Sequence, residues 1–161
     1  MQERESALRR RLNIPLDATR VLLFGESSHW DTNWLKTSEE YFRERVDTVF
    51  DAVFAALQRE EHRVFSIESV FFLKMYWERR PHRRELLRDL LRSGRLRLLG
   101  SSMTTPDTLL PTTEAILRDY LLGQEWLRAN DLPVEPRVAY FPDNFGHSPA
   151  LPTLMSALGI H

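Results

Sequence analysis

The stretch Val21-Leu22-Leu23-Phe24-Gly25-Glu26-Ser27-Ser28-His29-Trp30-Asp31 joins a short apolar run to a polar loop, and a second stretch repeats the pattern. There Val138-Ala139-Tyr140-Phe141 leads into Pro142-Asp143-Asn144-Phe145-Gly146-His147-Ser148. Each run is short, partly β-branched or aromatic, and bounded by polar or turn residues, so each predicts a buried strand. A His-x-Asp and an Asp just past two strand ends put metal-binding and carboxylate chemistry on one rim of a sheet. In parallel α/β folds that rim, at the carboxyl ends of the strands, is where active sites are built.

The same strand-then-helix rhythm recurs four times. Strands are predicted at residues 20–25, 63–67, 95–99 and 137–141. After the first, a Thr37-x-x-Glu40 capping box opens a long helix whose apolar positions Phe42, Val46, Val49, Phe50, Val53, Phe54 and Leu57 recur at helical spacing. Residues 71–77 predict another helix. Pro81 opens the next, which Gly94 ends, with Leu86, Leu87, Leu90 and Leu91 facing inward. A further helix is predicted over 112–130. Ser148 and Pro149 suit the N-cap and first residue of a last helix, closed by Gly159. Strands separated by helix-bearing crossovers predict an α/β fold of four parallel βα units, about half of a closed barrel. The chain reads as one partial domain over 1–161, with 1–18 a helical lead-in. A half barrel would leave strand edges open.

Composition narrows the functions. The 161 residues carry 22 Lys and Arg against 23 Asp and Glu, a formal net charge of −1, so no electrostatic footprint for nucleic acid or an anionic membrane is present. The run Arg9-Arg10-Arg11 is balanced by Glu3 and Glu5 and reads as a solvated helix face. Hydrophobic residues make up 42% of the chain, enough to fill a core. Cysteine is absent, which leaves His and carboxylates as metal donors. No stretch has the length of a transmembrane helix, and the charged start is unlike a signal peptide; a cytoplasmic setting is expected.

His29 and Asp31 share one side of an extended segment, so an imidazole nitrogen and a carboxylate oxygen can converge on a cation, with Asp143 as a third donor. By spacing alone, a loop His hydrogen-bonded to a helix-capping Asp fits equally, and Asp143 before Asn and Gly is ordinary turn chemistry. Glu68 and Asp107 also fall at or beyond strand ends. Four acids on one rim would repel one another unless a divalent cation or a proton intervened. Trp30, Trp34 and Phe145 accompany these acids, and flat rings beside carboxylates suit a sugar. Tyr76 and Trp77 fit core packing at least as well. His62, His82, His147 and His161 have no second ligand nearby in sequence.

At these residues the chain resembles glycoside hydrolase family 38, the retaining α-mannosidases, over nearly all of its length from Val21 onward. The resemblance rests on Ser28-His29-Trp30-Asp31-Thr32-Asn33-Trp34-Leu35, on Gly94-Arg95-Leu96 leading to Pro106-Asp107, and on Tyr120 to Gln124 with Val134-Glu135-Pro136-Arg137. Its most specific block is Pro142 to Ser148, followed by Leu151-Pro152 and Leu158-Gly159-Ile160. The resemblance implies a seven-stranded (β/α) barrel of which this chain is the N-terminal part, with the remainder of the catalytic domain C-terminal to it. It further implies one zinc ion held by His29, Asp31 and Asp143, with Asp143 the catalytic nucleophile and an α-mannoside the substrate. Trp34 and Phe145 match positions that contact the mannose, and Asp107 belongs to the block lining the same pocket. The general acid/base and a fourth zinc ligand of the family match nothing before residue 161, so the isolated chain is expected to be inactive. Where the family usually has Gly-Gly and Trp, this chain has Gly100-Ser101 and Met103. Two other readings stand beside it: a metal-dependent deacetylase or amidohydrolase using His29, Asp31 and His147, and a non-catalytic carbohydrate-binding remnant.

Overall fold

The computed structural model describes residues 2–22, 24–134 and 138–160. Helix α1 (Gln2–Arg11) leads into β1 (Glu26–Ser27). One continuous helical rod follows: α2 (Ser38–Tyr41), a π-helical turn (Phe42–Val46) and α3 (Asp47–Arg59). Then come β2 (Phe65–Ile67), α4 (Val70–Arg79), a 3-10 turn (Pro81–Arg83), α5 (Arg84–Arg92), β3 (Leu96–Leu98), α6 (Thr113–Ala129) and α7 (Leu151–Ala157). The strands form a parallel sheet in the order β1-β2-β3. This is an α/β fold of parallel strands joined by helical crossovers.

The helix boundaries follow the local chemistry. Thr37 accepts from the Glu40 N–H while the Glu40 carboxylate returns to the Thr37 N–H, so the capping box forms as expected. Phe42, Val46, Phe50, Phe54 and Leu57 are all buried. A four-residue repeat drifts around a 3.6-residue helix, and the wide π turn between Phe42 and Val46 takes up that drift so the row stays inward. Gly94 takes φ +72° after α5, with the Arg95 N–H bonded to the Leu90 carbonyl, which is the chain reversal that delivers β3. Thr112 caps α6 through the Ala115 N–H at 3.2 Å.

The core lies between the sheet and α3, α4 and α5. Phe50 stacks on Phe54, and both meet Tyr76 edge-on at 5.5 and 5.3 Å between ring centroids. Tyr76 and Trp77 are buried in this core, so they serve packing. The Tyr76 hydroxyl keeps a partner by donating to Asp51 Oδ1 at 2.5 Å. A second cluster joins Ile116 and Tyr120 of α6 to Leu151, Leu154 and Met155 of α7, with Ala139 and Phe141 against it.

Three expectations need correction. The first strand is not the apolar run at 20–25 but Glu26–Ser27. β1 registers Glu26 on Phe65, so residues before Glu26 would have to pair with residues before Phe65. Those lie in the turn closed by the Arg63 N–H on the Glu60 carbonyl, and no ladder is available. Leu22 and Phe24 are accordingly 91% and 82% exposed; Leu23 lies outside the described residues. At the other edge, residues 138–141 carry no strand, while Arg137 is outside the described residues. Ala139 and Phe141 pack on the second cluster, and the Val138 carbonyl lies beside Gly100, just past the end of β3. Among the described residues the sheet therefore has three strands, not four. Lastly, α7 begins at Leu151, with Ala150 as its N-cap. Ser148 instead closes a turn ahead of it, accepting from the Ala150 N–H on Oγ and from the Leu151 N–H on its carbonyl. No helix among the described residues is long and apolar enough to cross a membrane.

Candidate active site

The register of the sheet decides which rim residues meet. Glu26 pairs with Phe65 and Ser27 with Ser66, and the Ser28 N–H continues the ladder onto the Ser66 carbonyl at 3.2 Å. Carried two residues further, that offset sets His29 beside Glu68. His29 Nδ1 lies 2.8 Å from Glu68 Oε2, a separation of 39 residues in sequence and none in register. Glu68 is 3% exposed, and its other oxygen, Oε1, accepts from the Trp30 N–H at 2.6 Å. The Trp30 indole anchors the loop from below, edge-on to Phe50 and Phe72 at 5.2 and 6.1 Å.

The opposite face of the imidazole looks across the rim. His29 Nε2 stands 3.6 Å from Asp143 Oδ2. Burial alone would lower the His29 pKa, but the hydrogen bond and charge of Glu68, with the charges of Asp31 and Asp143 behind it, hold it above its ordinary value.

The Asp143 loop is tied to the loop after β3. The Asn144 side-chain amide donates to the Pro106 carbonyl at 2.6 Å, and the Ser148 N–H donates to Thr108 Oγ1 at 3.3 Å. Thr108 Oγ1 also lies 3.4 Å from the Gly146 carbonyl and 3.3 Å from His147 Nδ1. Gly146 sits at φ +146°, a backbone conformation that strains any residue with a side chain, and a Cβ there would also push aside a Leu109 methyl carbon 2.5 Å away. Asp107 is drawn into the same junction, where its carboxylate accepts from the Leu109 N–H at 3.4 Å. Trp34 and Phe145 are 67% and 78% exposed, large rings with nothing packed over them.

The structure thus brings His29, Glu68 and Asp143 together. Asp31 is near enough to act on the His29 charge but forms no hydrogen bond with it. Among the described residues no group of three His, Asp or Glu closes on one point as a metal cage. The His29–Asp143 pair still has the chemistry of a cation site. With Glu68 as acceptor, Nδ1 carries the proton and Nε2 offers its lone pair toward a carboxylate. Zinc at about 2.1 Å from each donor in tetrahedral geometry would separate them by roughly 3.4 Å, close to the gap present. His147 is held by Thr108 and edged against Phe141, and His62 and His82 are exposed; His161 lies outside the described residues. Sequence spacing named Glu68 only as one acid among four. The signal for its partnership with His29 was the adjacency of β1 and β2, which sequence alone does not register.

Residues 20–161 match the family model described as the Glycosyl hydrolases family 38 N-terminal domain. The chain belongs to glycosyl hydrolase family 38. Among family 38 relatives, it is 31% identical over 133 residues to Alpha-mannosidase 2 of Mus musculus, covering 82% of this chain and 12% of that one. Alpha-mannosidase 2 of Homo sapiens is 28% identical over 134 residues, 83% of this chain and 12% of its own length. An alpha-mannosidase structure from Enterococcus faecalis V583 superposes with a TM-score of 0.71 at 27% identity, covering 82% of this chain and 15% of that one. The chain therefore spans about an eighth of the curated relatives it matches. Both of these curated relatives are alpha-mannosidases.

Proposed function

We propose that this chain supplies the nucleophile and metal-binding part of a retaining α-mannosidase. The observation that carries the reading is the His29 Nε2 to Asp143 Oδ2 approach of 3.6 Å at the carboxyl rim of a parallel sheet. His29 and Asp143 would hold a divalent cation of the zinc type, with Asp31, whose charge already acts on His29, as a third donor, and further ligands would come from sequence beyond these residues. Such a cation supplies Lewis-acid charge that fixes and polarises sugar hydroxyls.

The chain's own residues do the remaining work. Asp143 attacks the anomeric carbon: the Asp143 oxygen–C1 bond forms as the C1–aglycone oxygen bond breaks, and a general acid elsewhere in the full enzyme protonates the departing oxygen. Water then cleaves the glycosyl–Asp143 ester with net retention. Trp34 and Phe145, exposed at the rim, offer flat apolar faces to the sugar's C–H surface. Asp107, fixed at the junction of the two loops, borders the same mouth. The partner is a carbohydrate, an α-mannoside.

The amidohydrolase reading needs a second rim histidine, and His147 is engaged by Thr108 and Phe141 instead. General acid–base assistance is worth about 10²–10⁴ in rate, so the isolated chain should turn over aryl α-mannosides negligibly. The test is a zinc titration of the chain and its H29A and D143N variants by competition with a chromogenic chelator, alongside an aryl α-mannoside assay. Binding lost in both variants is the expected result. Equal binding in all three, or chelator-sensitive turnover by the chain alone, would overturn the reading.

A further inference from the structure

Glu68 has no part in the chemistry proposed above, yet it is the most deeply buried acid at the rim, at 3% exposure. Burying a carboxylate without partners is strongly unfavourable, so its partners show what it is for. There are two, and both come from the His29 loop. Oε2 faces His29 Nδ1 at 2.8 Å and Oε1 accepts from the Trp30 N–H at 2.6 Å. Two donors meet two acceptor oxygens, one apiece.

We propose that Glu68 is a positioning residue that holds His29 in the Nδ1–H form with Nε2 unprotonated and aimed at the cation shared with Asp143. The inference rests on the metal reading of His29 and Asp143. A carboxylate hydrogen-bonded to the far nitrogen of a ligating imidazole fixes both its tautomer and its ring orientation. The second bond, to the Trp30 N–H, fixes the backbone that carries the ring, so the imidazole cannot swing away with its loop.

The chemistry explains why glutamate is required and glutamine would not do. Gln has one acceptor oxygen and one NH₂ group. If its oxygen keeps the Trp30 N–H, its NH₂ faces Nδ1, which must then accept. The proton moves to Nε2, and the nitrogen aimed at Asp143 can no longer bind a cation. If its oxygen instead keeps Nδ1–H, the half-buried Trp30 N–H confronts another donor and the loop is pushed away.

The test compares the full chain with E68Q and H29A. The readouts are zinc affinity by chelator competition and the His29 ring tautomer by ¹⁵N NMR without metal. Wild type should show His29 as Nδ1–H. E68Q should show the Nε2–H form appearing and zinc affinity falling about 10–100-fold, with far-UV circular dichroism unchanged. E68Q binding as tightly as wild type, or keeping the same tautomer, would overturn the proposal. Should E68Q fail to fold, the wild-type ring alone decides: a dominant Nε2–H form refutes it and a dominant Nδ1–H form supports it. If wild type takes up no zinc, the metal reading fails, while the tautomer comparison still judges Glu68.

Discussion

Gly123 of α6 lies flat against the backbone of Ser101, in the loop that leaves β3. A Cβ at Gly123 would overlap the Ser101 carbonyl oxygen and stand 2.8 Å from both the Met103 nitrogen and the Ser102 carbonyl carbon. The far side of that loop is equally committed. The Val70 and Phe71 N–H groups, left unpaired at the start of α4, donate to the Ser102 and Met103 carbonyls at 3.0 and 2.9 Å. Ser69 offers α4 no side-chain cap. The loop does that work, and it is held between two helices directly behind Glu68.

Gly123→Ala therefore sets two effects against each other. Helix propensity favours Ala by about 1 kcal/mol, whereas overpacking against unyielding atoms costs about 1–3 kcal/mol. The obstacles are backbone on three successive residues, so the steric term should win, with a net loss of about 1–2 kcal/mol in urea unfolding. A raised urea midpoint would show that α6 can slide away from the loop.

Asp119 gives stability a pH dependence of defined sign. Burial is the largest influence and raises its pKa from 3.8, while bonds from the Thr104 hydroxyl and N–H work in the other direction. The folded state thus binds its proton more tightly than the unfolded chain does. Its favourable contribution is complete below the unfolded value and is lost as pH rises through the folded one. In urea titrations, the stability of wild type relative to D119N should decline from about pH 4 upward and then level off. A difference that stays flat, or that grows with pH, would contradict this.

How much of this was readable in advance differs from element to element. The capping-box helix entered at Thr37, the Pro81 entry and the Gly94 exit are local signals, written within a few residues, and all stand as read. The strands were less legible, because an apolar run states what could be buried and not whether a partner strand reaches it. Val21, Leu22 and Phe24 are exposed because β2 starts at Phe65, a fact set by the turn 40 residues along the chain. The rim followed the same division. His29 and Asp143 were visible as residue types in loops, but Glu68's hold on His29 depends on register between two strands, a long-range quantity.

Thr108 should prove a local latch for the Asp143 loop. Its buried hydroxyl meets the Gly146 carbonyl, His147 Nδ1 and the Ser148 N–H. Thr108→Val keeps the shape and strands the Ser148 N–H, at about 1–2 kcal/mol. The loss should fall mainly on the loop. Native-state hydrogen exchange of the Ser148 amide should quicken about 5–30-fold while amides of α3 change little. Unchanged exchange at Ser148 would mean that the latch lies elsewhere.

Two tryptophans on either side of Asp31 should behave oppositely when removed. Trp30 packs its ring edge-on against Phe50 and Phe72, while its backbone N–H, which Trp30→Ala keeps, donates to Glu68. Full burial of Trp would make truncation cost about 3–5 kcal/mol; Trp30 is only partly buried, so about 2–3 kcal/mol is expected for Trp30→Ala. Trp34 is 67% exposed, and Trp34→Ala should stay within about 0.5 kcal/mol of wild type. Acrylamide quenching provides a second measure, since W34A should remove the most readily quenched emission and W30A should not. A large stability loss in W34A would place its ring in the core, and it could then no longer serve as a free face for a sugar.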